Sequence, residues 1–152
     1  MSFGRYFEDF DIGDVYDHFP GKTITESDNN LFCLLTMNHH PVHLDWQFAE
    51  GTQHQKVLVV GTLVFSLIVG LTVRDVSGRA IANLEYESVV HLAPVHIGDT
   101  LHARTTVLDK QQSQSKQDRG VVQVETTASN QLGKPVLRFR RKVLVPLRNA
   151  TT

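Results

Sequence analysis

The segment Val57–Val73 reads VLVVGTLVFSLIVGLTV and contains no charged residue over seventeen positions. Charged residues stand immediately before and after it. The β-branched run Val57–Val60 favours an extended conformation, and Gly61 separates it from the residues that follow. Thr62–Val73 is then long enough for about three helical turns. Such a helix would have no polar face, so we expect protein to surround it on every side.

The second half of the chain has the alternating pattern of long antiparallel strands. Four strands are predicted there, at Ile81–His91, Thr100–Asp109, Val121–Ser129 and Val136–Val145. A short strand is expected earlier, at Tyr16–Phe19, followed by a turn at Pro20-Gly21. This order predicts an α+β fold in which a curved antiparallel sheet wraps round the long apolar helix, the arrangement known as the hot-dog fold. Because such a sheet leaves an open edge, we expect a homodimer or a dimer of dimers.

A helix is also predicted before the apolar segment. Thr25, with Asp28 three residues later, is typical of a helix N-cap, and the helix should run to Thr36. Three leucines at helical spacing are expected on its inner side: Leu31, Leu34 and Leu35. Cys33 lies among them, so we interpret it as a buried structural thiol. A single cysteine cannot form an internal disulfide, which fits a reducing cytosol.

Length and charge restrict the classes of function. The 152 residues amount to one domain, and the formal charge of −1 argues against a nucleic-acid partner. The first residues lack the apolar core of a signal peptide, so a cytoplasmic location is expected. Gly61 and Gly70 interrupt the apolar segment, which favours a buried helix over a membrane span. Five basic residues are interpreted as the solvated face of the last strand, with an anion site as the alternative: Lys134, Arg138, Arg140, Arg141 and Lys142.

Residues 36–45, TMNHHPVHLD, concentrate the side chains capable of chemistry. They include His39, His40 and His43, which raises the possibility of a metal site. However, adjacent histidines rarely point the same way, and neither H-E-x-x-H nor H-x-x-E-H spacing is present. We therefore expect no metal at this segment.

Two other interpretations of the segment remain open. His43 or Asp45 could simply cap a short helix predicted at Leu44–Glu50. Alternatively, a histidine held near the amide of Asn38 could act as an acid or base. Spacing alone does not separate these alternatives.

Three motifs resemble those of the MaoC-like, or R-specific enoyl-CoA hydratase, family. The first lies within Leu35–Ala49 and matches the family signature at Leu35, Thr36, Pro41, Val42, His43, Asp45, Phe48 and Ala49. Val57–Leu63 is similar to the start of the family's central helix. Ala93–Leu101 resembles the family's PVxxGDTL corner. The motifs follow the family's order and cover nearly the whole chain.

The resemblance implies addition of water to a trans-2-enoyl-CoA thioester without a metal or redox cofactor. In the family an Asp and a His activate the water, and a backbone N–H at the start of the central helix polarises the thioester carbonyl. By position, the histidine is His43 and the glycine at the helix start is Gly61, followed by Thr62 in the substrate site. Ser66 would line the substrate channel, although a buried serine bonded back to a carbonyl is an alternative.

Departures from the family pattern leave three hypotheses. Asn38 replaces the catalytic Asp, Met37 replaces a Gly, and His40 replaces an Asn. In a hydratase, His43 would act alone or with His40 while Asn38 orients water. His39 or His40 would bind a carboxylate on the substrate, as in mesaconyl- or itaconyl-CoA.

The other two hypotheses involve no hydration. The chain could be a non-catalytic subunit that binds acyl-CoA or a partner, because an amide cannot serve as a general base. A thioesterase would need a carboxylate on or beside the central helix, where Thr62–Val73 has none. In each case the arginines of the last strand, Arg138, Arg140 and Arg141, are candidates for the CoA phosphates.

Overall fold

The computed structural model describes residues 3–149. Five antiparallel strands form one sheet in the order β1-β3-β4-β5-β2. The strands are β1 (Val15–Thr23), β2 (Ala82–His91), β3 (Thr100–Gln112), β4 (Arg119–Ser129) and β5 (Pro135–Pro146). Every predicted strand is present, and β1 and β2 form the two edges of the sheet.

Four α-helices lie between β1 and β2 in the chain. They are α1 (Glu26–Thr36), α2 (Pro41–Leu44), α3 (Trp46–Glu50) and α4 (Gly61–Leu71), and a π-helical segment (Val73–Ser77) follows α4. Val64 and Ile68 of α4 belong to the same buried cluster as Leu101 and Phe139 of the sheet. The predicted hot-dog arrangement, with a sheet packed on a central apolar helix, is thus confirmed.

The expectation that α4 is enclosed on every side is wrong for the single chain. Val64 and Ile68 are buried, whereas Thr62, Ser66 and Gly70 are exposed. These three small residues are spaced four apart and therefore share one face of the helix. The sheet covers only the opposite side of α4. Among residues 3–149, no helix is both long and apolar enough to cross a membrane.

The predicted inner face of α1 is also wrong. Leu31, Leu34 and Leu35 are 58%, 67% and 74% exposed, and the buried residues of the helix are Asn29 and Cys33. The leucine spacing identifies an apolar face of α1. The buried face is instead the one that carries Asn29, whose side chain forms hydrogen bonds in the core. The predicted cap is confirmed: Thr25 Oγ1 accepts from the Asp28 N–H, and Asp28 Oδ2 accepts from the Thr25 N–H.

Two breaks in regular structure differ from prediction. The Pro20-Gly21 pair lies inside β1, where the register with β3 shifts between His18 and Lys22. The predicted helix Leu44–Glu50 is divided at Asp45, which ends α2 and begins α3. Asp45 does cap α3, since its Oδ1 accepts from the Phe48 N–H at 2.9 Å.

Arg141 contradicts the interpretation of the basic residues on the last strand as a solvated face. Its side chain is fully buried, because it lies on the inner face of β5 together with Phe139 and Val143, two residues away on either side. The guanidinium donates to Thr72 Oγ1 at 2.6 Å and to Asn83 Oδ1 at 3.3 Å. Burial lowers the pKa of this guanidinium from its usual value.

Candidate active site

His43 is held in one tautomer by the main chain. It lies in α2, and its Nδ1 is 2.7 Å from the carbonyl oxygen of Leu58. Because a carbonyl oxygen can only accept, Nδ1 must carry the proton. The lone pair of Nε2 is therefore available to accept a proton, as a general base requires.

Asn29 joins His43 to the beginning of α4. The amide is fully buried; its Nδ2 donates to the His43 carbonyl at 2.9 Å, and its Oδ1 accepts from the Val60 N–H at 3.1 Å. The Leu58 N–H also donates to the Val42 carbonyl at 3.1 Å. Sequence reasoning missed Asn29. The available signal was its position four residues before Cys33, which places it on the helix face of the cysteine that we expected to be buried.

The first turn of α4 presents unpaired donors. Val60 precedes the helix and offers no side-chain acceptor. Neither the Gly61 N–H nor the Thr62 N–H has a hydrogen-bond partner among the described residues. A helix N-terminus carries a partial positive charge, so these groups are suited to a developing negative charge on an oxygen.

A pocket of about 430 Å³ opens beside this turn. Its walls are mainly apolar, and its polar side chains are His54 and His91. The ring of His91 lies against Gly61: a Cβ at that position would be 2.9 Å from Cε1 and 3.0 Å from Nε2. A side chain at this position would displace the ring of His91. His91 was also missed, since no local pattern relates the end of β2 to the start of α4.

His40 has the opposite tautomer from His43. Its Nδ1 accepts from the Val42 N–H at 3.2 Å, so in the neutral ring the proton is on Nε2. The two imidazole centroids are 6.0 Å apart. One ring therefore offers a donor and its neighbour an acceptor. His39 and His40 are both exposed, and His43 is partly buried.

Asn38 has a local structural contact. Its Oδ1 accepts from the His40 N–H at 3.3 Å, and its side chain is half-buried. Met37, which precedes it, has a φ of 60° and ends α1 in the left-handed conformation. Glycine, the residue of the family signature at this position, adopts that conformation without strain.

The remaining predicted site residues lie elsewhere. Thr62 and Ser66 are on the exposed face of α4 and do not line the 430 Å³ pocket. Their roles stay predictions. Arg140 pairs with Glu125 at 2.8 Å, and Arg141 is buried in the core. Within residues 3–149, no group of three or more His, Cys, Asp or Glu side chains could hold a metal ion.

Comparisons with known proteins identify the family of the chain. The profile of the MaoC like domain matches residues 9–130. A mesaconyl-CoA hydratase of Cereibacter sphaeroides is 35% identical over 96% of this chain and 42% of its own length. An (R)-specific enoyl-CoA hydratase of Rhodospirillum rubrum is 31% identical, with 95% of this chain and 94% of that protein covered. The crystal structure of a MaoC-like dehydratase from R. rubrum aligns with a TM-score of 0.83 and 26% identity, over 95% of this chain and 99% of that one. The chain spans about two fifths of the C. sphaeroides protein.

Proposed function

Because the chain belongs to the MaoC-like domain family, we propose that it adds water to the double bond of an enoyl-CoA thioester, or catalyses the reverse dehydration. The observation that carries the proposal is the pairing of two features. His43 Nε2 is free to act as a base. The unpaired N–H groups of α4 begin at Gly61, three residues after Leu58, whose carbonyl orients this histidine. The base would accept a proton from the water, and the N–H groups would stabilise negative charge on the thioester oxygen.

The reaction proceeds through an enolate. His43 Nε2 accepts a proton from water as the water oxygen bonds to C3 of the substrate. The electron pair of the C2–C3 double bond moves to the thioester oxygen, where the Gly61 N–H stabilises the negative charge. The His43 imidazolium then returns the proton to C2, so one water is added overall. Asn38 positions the water, and the reaction needs no metal or redox cofactor.

We propose a short or branched substrate that carries its own carboxylate. An amide at Asn38 does not repel a carboxylate, whereas the aspartate usual at this position would. The proton on His40 Nε2 provides a donor beside the base, and His39 is a second candidate for this contact. Mesaconyl- and itaconyl-CoA have the required chemistry, and mesaconyl-CoA is named in the hydratase of C. sphaeroides.

The assay is the loss of enoyl-thioester absorbance with crotonyl-, mesaconyl- and itaconyl-CoA. We expect turnover of at least one dicarboxylic substrate, and its loss in His43→Ala. His102→Ala is the matched control, because that histidine is exposed on β3 and lies outside the candidate site. Absence of turnover with all three substrates would refute the hydratase proposal.

A second candidate function is binding of acyl-CoA without catalysis. It is favoured by the contact of Asn38 Oδ1 with the His40 N–H, which gives the amide oxygen a structural use. The variant Asn38→Asp distinguishes the two. A gain of crotonyl-CoA hydration would show that the remaining machinery is intact, whereas an inactive variant that still binds crotonyl-CoA would favour the binding function.

We further propose that two copies of the chain associate in the cytoplasm. The edge strand β2 exposes apolar side chains, among them Leu84 at 52% and Val89 at 40%, and α4 exposes its face of small residues. Both features would be covered by a second copy. Sedimentation of Val89→Arg should show a smaller species than the wild type. Leu132→Arg is the control, since Leu132 is 84% exposed in the β4–β5 turn; equal masses for Val89→Arg and the wild type would exclude β2 as the interface.

A further inference from the structure

A second cavity, of about 320 Å³, lies beyond the C-terminal end of α4. Four arginines line it: Arg5, Arg74, Arg79 and Arg148. Its acidic lining residues are Asp9 and Asp75, so the formal charge of the lining is +2. We propose that this arginine cavity binds a phosphate group. Guanidinium groups match phosphate oxygens in both charge and geometry, and their mutual repulsion falls when an anion enters.

The cavity is built from segments that are fixed against each other. Gly4 has a φ of +77°, and a Cβ there would be 2.5 Å from the backbone nitrogen of Arg79. The Gly4 N–H also donates to the Arg74 carbonyl at 2.8 Å. Only glycine permits this close approach, which brings Arg5 opposite the arginines that follow α4.

Tyr6 orients two of the guanidinium groups. The Cζ of Arg79 is 4.4 Å from the centroid of the tyrosine ring, and that of Arg148 is 4.9 Å from it. Arg79 Nη1 also donates to the Tyr6 hydroxyl at 3.0 Å. These contacts fix the planes of both groups but use few of the five donors that each arginine has. The remaining N–H groups of Arg79 are therefore available for a ligand.

The carboxylates of the cavity are already engaged. Asp75 Oδ2 is 2.9 Å from His18 Nδ1, and its main-chain oxygen accepts from Arg5 Nη1 at 2.5 Å. Asp9 pairs with Arg148 and accepts from the Tyr6 N–H. Arg79 forms no ion pair with any carboxylate in the part of the chain that the structure describes. Arg79 thus contributes a positive charge to the cavity that no carboxylate of the lining pairs with directly.

Two sources could supply the phosphate: a free inorganic phosphate ion, or the phosphorylated adenosine of coenzyme A. The second source rests on the proposed function, and it would give the CoA phosphates a site other than the arginines of the last strand. Binding can be measured without turnover. Loss of hydratase activity and loss of phosphate binding are therefore separate results.

The test is calorimetric titration of the full chain with inorganic phosphate, adenosine 3′,5′-bisphosphate and coenzyme A. Arg79→Gln should weaken binding about tenfold, the effect of losing one charge-assisted hydrogen bond. The matched control is Arg104→Gln, an exposed arginine on β3 outside the arginine cavity that should leave binding unchanged. Circular dichroism establishes that each variant is folded. The proposal is overturned if none of the three compounds binds, or if Arg79→Gln binds as the control does.

Steady-state kinetics distinguish the two sources. If the site serves coenzyme A, Arg79→Gln should raise KM for the CoA thioester and leave KM for the matching pantetheine thioester, which lacks the adenosine phosphates, unchanged. If it serves free phosphate, both KM values should stay constant while phosphate affinity falls. Each outcome supports phosphate binding at the arginine cavity and assigns its origin.

Discussion

Replacement of Asn29 by leucine should weaken both the fold and the candidate active site. Leucine has nearly the same shape but cannot hydrogen-bond. The change leaves the buried Val60 N–H without its acceptor at 3.1 Å, and the part-buried His43 carbonyl without its donor at 2.9 Å. An unsatisfied buried donor costs about 2 kcal/mol and a carbonyl that water can reach about 1 kcal/mol, so we expect a loss of about 3 kcal/mol in the free energy of unfolding.

Urea denaturation measures this loss, and Asn30→Leu is the matched control. Asn30 is the next residue of α1, and the gain in helix propensity is the same at both positions, so the difference between the two variants isolates the hydrogen bonds. In the hydratase assay, kcat should fall about tenfold, because one of the links between His43 and the start of α4 is lost and the two move apart. Equal stability of the two variants would refute the role assigned to the Asn29 amide.

Three further predictions concern single positions. Gly61→Ala should lower activity and cost about 1–3 kcal/mol in the free energy of unfolding, because its Cβ meets the His91 ring at 2.9 Å. The additional change His91→Ala should restore the lost stability. Failure of that rescue in thermal melting would contradict the contact. Met37→Gly should raise the free energy of unfolding by about 1 kcal/mol, because it relieves a left-handed residue at φ 60°. Burial lowers the pKa of His18, although Asp75 opposes this and Arg141 adds to it. The unfolded chain therefore binds the proton first, and stability should decrease as the pH falls below about 6.5. His18→Gln should flatten that decrease in denaturation curves at pH 5–7, and an unchanged slope would exclude His18 as its source.

Local patterns were enough to predict the five strands, α1 and α4. The capping box of Thr25 and Asp28 depends on residues three apart, and the Asp45 cap is equally local. Strand alternation located β2 to β5. The same alternation indicates that Arg141 is buried, because it lies two residues from Phe139 and from Val143 and so shares their face of β5. The composition of the strand suggested solvent exposure, but the alternation was the better guide to burial.

Contacts distant in sequence account for what the patterns missed. The buried side of α1 is set by Asn29, whose partners His43 and Val60 lie 14 and 31 residues away. The packing of His91 against Gly61 joins the end of β2 to the start of α4. Neither contact leaves a periodic trace in the sequence. His43 could be found because the family signature names it, whereas the residues that position it became evident only in the folded chain.

The order of strands in the sheet also has a kinetic consequence. β3, β4 and β5 are neighbours both in the chain and in the sheet, so this meander can form by short loop closures. The edge strands join it only over long distances: His18 contacts Thr105 87 residues away, and Asn83 contacts Arg141 across 58 residues. In the chain, all residues of the candidate active site except those at the end of β2 lie between the two edge strands, β1 and β2. During refolding, sheet structure should therefore appear before the catalytic groups meet, and recovery of activity should lag behind it.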